Sequence, residues 1–139
     1  MHAPAAASGG TFCWLDLAAR DDDAAMAFYS QVFGWRFATR HANGGRFTHC
    51  RVGGRDVASL YRLSEAHRKQ GMPSHWTPYL RVDDVDALAP RIGPLGGRVL
   101  VAPFEVERSA RIALIEDSVG AVVGLWQPLS QVGLGTMRA

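Results

Sequence analysis

The chain has 139 residues, 47% of them hydrophobic, and a formal net charge of +2. That is apolar material for one continuous core, and the scattered basic residues, with no Lys/Arg run interleaved with aromatics, exclude the charge footprint of a nucleic-acid binder. Two cysteines, Cys13 and Cys50, are too few for a disulfide framework and point to a reducing, cytoplasmic compartment, and no apolar run approaches the roughly 20 residues that span a bilayer.

Residues 1–10 are rich in Ala, Ser and Gly, lack a basic n-region, and read as a disordered tail, not a signal peptide. A strand is predicted over 11–19. Asp21, Asp22 and Asp23 then supply the N-cap and first-turn acids of a helix. Its apolar positions Met26, Tyr29, Val32 and Phe33 recur at helical spacing, and Gly34 stops it. Strands are expected at 35–41, 46–52 and 56–63, separated by the turns Asn43-Gly44-Gly45 and Gly53-Gly54. Residues 11–63 thus form a βαβββ module, and the polar stretch 64–75, with Gly71 and Pro73, reads as a linker.

The pattern then begins again: a strand at 76–82, acids at Asp83, Asp84 and Asp86, a helical stretch with Val85, Leu88 and Ile92, and a Gly96-Gly97 stop. Pro90 falls inside this second helix, so a short, kinked or 3-10-like helix is expected. Strands at 98–102, 110–116 and 121–127 complete a second module over 76–128, followed by a tail at 129–139. Asp21 to Gly34 and Asp83 to Gly96 share one spacing, and each pair follows an aromatic-containing strand, which indicates duplication within a single structural domain. The competing reading is an α+β sandwich without duplication.

The run Ala27-Phe28-Tyr29-Ser30-Gln31-Val32-Phe33-Gly34-Trp35 resembles the F-Y-x-x-x-x-G-W/F motif of the vicinal oxygen chelate superfamily, which includes glyoxalase I, the bleomycin-resistance proteins and the extradiol dioxygenases. Pro78-Tyr79-Leu80-Arg81-Val82-Asp83-Asp84-Val85-Asp86 and 117–128 resemble its second module. In detail the chain is similar to the small glyoxalase-like proteins related to a mycobacterial secreted antigen. The resemblance implies an α+β fold in which the two βαβββ modules form a cupped, partly open mixed sheet with helices on its outer face. It also implies a small-molecule ligand and a homodimer.

Strand alternation separates two faces. Cys13, Leu15 and Leu17 form a row expected to pack on a helix, as do Ala58 with Leu60, Leu80 with Val82, and Val123 with Leu125. The opposite set would line the cup: Trp14, Asp16, Ser59, Tyr61, Thr77, Tyr79, Arg81, Gly124 and Trp126. In metal-dependent relatives four positions, matched here to Trp14, Ser59, Thr77 and Gly124, carry His, Gln or Glu. None of these four residues is an ordinary divalent-metal ligand, so no metal and no cofactor are expected. Glycine pairs match no phosphate-loop pattern.

What remains is an aromatic lining suited to a flat apolar or aromatic molecule. Asp16 is the candidate acid or base, with an ion pair to Arg81 as its competing role. Tyr61 and Tyr79 are candidate orienting or proton-transferring groups, and His49 is placed at the cup mouth. A set of His49, His75 and Asp16 is the one unorthodox metal site the residues allow. Phe33 and Trp35 are expected in the core. Three functional readings follow: a metal-free binding protein; a cofactor-independent isomerase, cyclase or lyase using Asp16; and a divergent metal-dependent glyoxalase or dioxygenase.

Overall fold

The computed structural model describes residues 9–42 and 45–129, so most of the first tail, Asn43 and Gly44 of the predicted turn, and residues 130–139 of the second lie outside the described residues. The fold is α+β: among the described residues eight strands and two longer helices follow the predicted order, and a third, short helix is added. The chain divides into two compact units, residues 15–77 and residues 9–14 with 78–129, the divisions falling inside strands β1 (Thr11–Ala19) and β5 (His75–Arg81).

In the first unit, helix α1 (Asp22–Phe33) follows β1 because Asp21 caps it, its carboxylate accepting the Ala24 N–H at 3.0 Å. Gly34 ends the helix in the left-handed region at φ 74°, where a Cβ would be strained. Asp22, 2% exposed, would be costly to bury alone; Arg46 meets it at 2.5 Å. Strands β2 (Arg36–Ala42), β3 (Gly45–Val52) and β4 (Arg55–Arg62) pair antiparallel in succession, and β4 pairs parallel with β1. Leu17, Ala19, Cys50, Ala58 and Leu60 form the core beneath Ala25, Met26 and Tyr29 of α1. Trp35 joins this core, but Phe33 is 62% exposed and Leu15 is exposed as well, which corrects their expected burial.

The stretch read as a linker contains a short helix α2 (Glu65–Lys69), capped by Ser64, whose hydroxyl accepts the His67 N–H at 3.1 Å. Arg20 fastens its far end by donating to the Met72 carbonyl at 2.7 Å.

The second unit repeats the plan. After β5, helix α3 (Val85–Ile92) is capped by Asp84 and contains Pro90 in its last turn. It passes directly into a 3-10 turn, Gly93–Leu95, as the proline foretells. Strand β8 (Val122–Pro128) pairs parallel with β5 and antiparallel with β7 (Ala110–Glu116), which pairs antiparallel with β6 (Arg98–Val106). The order β6-β7-β8-β5 matches β2-β3-β4-β1 of the first unit, so the duplication is present in the topology. Val82, Val85, Ala113, Ile115 and Leu125 make the core under Leu88 and Ile92 of α3. Strand β6 runs four residues beyond its expected end because it enters a three-residue hairpin loop, 107–109, in which Glu107 and Arg108 are both at positive φ.

Candidate functional site

In each unit the helix covers one face of the sheet, and the residues singled out from the sequence sit mainly on the other. In the first unit the β1–β4 register sets Asp16 beside Ser59, and the β3–β4 register sets His49 beside Ser59 and Phe47 beside Tyr61. The Ser59 hydroxyl donates to the Asp16 carboxylate at 2.9 Å. Burial first, and then the negative charge of Asp16, push the Tyr61 phenol up to about 12. Tyr61 is therefore a hydrogen-bond donor throughout the physiological range.

One further residue, Asp56, joins this face that alternation alone does not place there. The β3–β4 ladder shifts register between Cys50 and Arg51, so that Arg51 stands opposite Asp56. A bulge of this kind re-aims side chains by inserting one unpaired residue. Asp56 thus meets the His49 ring at 3.4 Å and the Arg51 guanidinium at 3.2 Å, both residues of the face opposite α1. The positions Gly53-Gly54 gave the turn but no sign of the bulge.

Thr77 is 7% exposed. His75 shares a hydrogen bond of 2.9 Å with the Pro73 carbonyl through Nδ1, and His67 is exposed on α2. Among the described residues the acidic and imidazole groups close enough to surround an ion are Asp21, Asp22 and Asp23, and not the His49, His75 and Asp16 set. The first two of these aspartates are already engaged, one as the cap of α1 and one with Arg46.

In the second unit Tyr79, Trp14 and Trp126 form one aromatic group. The Trp14 and Trp126 centroids lie 5.6 Å apart, and the Tyr79 ring meets Trp126 edge-on at 5.9 Å. Tyr79 is only 3% exposed, so it fills this unit and does not wall an open surface. Its register partner is Gly124, and a Cβ built there would lie 2.2 Å from the tyrosine Cδ2. The absence of a side chain at Gly124 is what admits the ring. Arg81 faces Asp83 at 3.7 Å, and burial raises the Cys13 thiol to about 11, with Arg81 acting in the opposite sense.

The profile of the Glyoxalase/Bleomycin resistance protein/Dioxygenase superfamily matches residues 11–125, and the chain belongs to that superfamily. It is 36% identical to CFP32 of Mycobacterium tuberculosis over 126 residues, covering 89% of this chain and 48% of that protein. It is 33% identical to the anthracycline biosynthesis protein DnrV of Streptomyces peucetius over 129 residues, covering 85% of this chain and 47% of that one. The chain therefore spans about half the length of these curated relatives. The methylmalonyl-CoA epimerase of Mycobacterium tuberculosis superposes with a TM-score of 0.62 at 20% identity, over 89% of this chain and 91% of that one, a likeness of fold. No helix among the described residues is long and apolar enough to cross a membrane.

Proposed function

We propose that this chain binds a small, flat aromatic or apolar molecule and does so without the divalent metal used elsewhere in its superfamily. The observation that carries the reading is the Tyr79 ring lying over Gly124, one of the four positions matched by motif to metal ligands. That place is taken by a phenol ring, and enlarging Gly124 to a ligand would displace it. The other three do not fit a divalent ion either. Trp14 has no lone-pair donor and packs on Trp126, the Ser59 hydroxyl is engaged with Asp16, and Thr77 offers only a neutral hydroxyl. No step is derived through a metal.

In the second unit Trp14 and Trp126 supply aromatic surface for stacking. Two relatives carry names from anthracycline biosynthesis, and anthracyclines are fused-ring aromatics. The test is tryptophan fluorescence during titration with a panel of planar aromatic compounds. Saturable quenching that is lost in Trp126→Leu supports the reading; no saturable change with any of them would contradict it. The same reading takes the protein as a cytoplasmic homodimer, which light scattering checks: a single-chain mass removes the dimer.

A second reading is favoured by the Asp16 and Ser59 pair beside Tyr61. Here the carboxylate takes a proton from a carbon or oxygen acid, and the protonated phenol steadies the oxygen that gains charge. Asp16→Asn then abolishes turnover and leaves binding within a few-fold. A variant that retains the full rate sinks this reading.

A further inference from the structure

The strands β2 and β3 of the first unit carry an arrangement that the fold does not require. Arg36 and Arg51 stand directly opposite one another, and Ala38 stands opposite His49. Like charges facing each other across an antiparallel ladder repel. Arg51 is shared between Asp56 at 3.2 Å and the Gly54 carbonyl at 2.8 Å. Arg36 makes no ion pair or side-chain hydrogen bond among the described residues, and the same holds for Arg40 on the same side of the strand. Between these two arginines stands the small side chain of Ala38, and the His49 ring opposite it lies 5.6 Å from that of Phe47.

The geometry points to an anionic aromatic ligand on this face, its ring over Ala38 and His49 against Phe47 and its carboxylate held by Arg36 and Arg51. The inference rests on the aromatic-binding reading and adds the charge of the ligand. From His49 to Arg51 is two strand residues, about 7 Å, which matches the reach from a fused ring to its carboxylate. A guanidinium presents parallel N–H donors that fit a carboxylate, and an anion between two of them turns a repulsive pair into a bridged one. Tyr61, opposite Phe47, stays protonated and adds no competing negative charge. Asp56 acts as a positioning residue, holding Arg51 from the side of β4. The rival explanation is that Arg36 and Arg40 only protect the exposed edge of β2 from pairing with another strand, which requires no ligand preference.

The experiment is calorimetric titration of the full chain with 2-naphthoate and with its neutral counterpart 2-naphthamide. We expect naphthoate to bind at least about tenfold more tightly, the difference made by its charge-assisted contacts with the two guanidinium groups. The preference should vanish in Arg36→Gln and in Arg51→Gln and persist in Arg91→Gln, which removes an equal charge from α3. Arg36 has no ion-pair partner to lose among the described residues, so its variant keeps the test valid if Arg51→Gln melts early. Equal affinity for the two compounds, or a preference that survives both substitutions, overturns the anion site and leaves the aromatic reading standing. Binding of neither compound counts against the aromatic reading and this inference together.

Discussion

Gly124 is the residue at which packing and function meet. A methyl group there would collide with the Tyr79 ring, so Gly124→Ala should lower stability by about 1–3 kcal/mol through overpacking. Urea denaturation reads this as a lower midpoint at unchanged slope. The double change with Tyr79→Leu should recover part of the loss, because the colliding ring is gone. Strand alternation made Asp16, Ser59 and Tyr61 legible as one face, and the registers of β1, β3 and β4 bear that placement out. Alternation also assigns Tyr79 to that face, but cannot tell a ring lining a surface from one filling a unit. Asp56 was missed for a definite reason: counting by twos from Ala58 puts it on the α1 side, and only the bulge turns it to His49 and Arg51.

Elements with strong local chemistry were read nearly to the residue. Asp21 and Gly34 bracket α1, and strand β7 has the expected bounds. Asp21→Ala should cost about 1 kcal/mol by removing the side-chain acceptor of the Ala24 N–H, seen as a lower melting temperature. Elements with weak signals were missed. Helix α2 has five residues and no apolar periodicity, only a capping serine. The extension of β6 was hidden because Glu107 and Arg108 make its hairpin without glycine or asparagine, at φ 51° and 62°. Two non-glycine residues in the left-handed region are strained. Replacing the pair with Asn-Gly should raise stability by about 1 kcal/mol, measured by the same denaturation; no gain would show that the hairpin is relaxed as it stands.

For the whole molecule, repetition was the most legible property. Two acid-capped helices, each preceded by an aromatic strand, announced the duplication, and each unit repeats one strand order. Two groups of the first unit and one of the second also tie folding to alkaline pH. Burial raises Cys50 from 9.0 to about 12 and Cys13 to about 11, and burial with Asp16 raises Tyr61 from 10.0 to about 12. A raised pKa in the folded state means that its stability contribution is complete below the ordinary value and lost as pH climbs through the raised one. Stability should therefore be level to about pH 9 and fall between about pH 9 and 12. Cys50→Ala should flatten that fall. A stability curve unaffected by pH over this range would remove the linkage.

The metal-free reading is tested most directly by elemental analysis of purified, untagged protein, joined to a thermal-shift titration with divalent zinc, nickel, cobalt and manganese. A ligand that binds only the folded state raises its apparent stability. The expected result is no stoichiometric metal and no rise in melting temperature with any of the four ions. A stoichiometric ion, or a saturable rise with one of them, would contradict it and make the metal-dependent enzyme the leading reading.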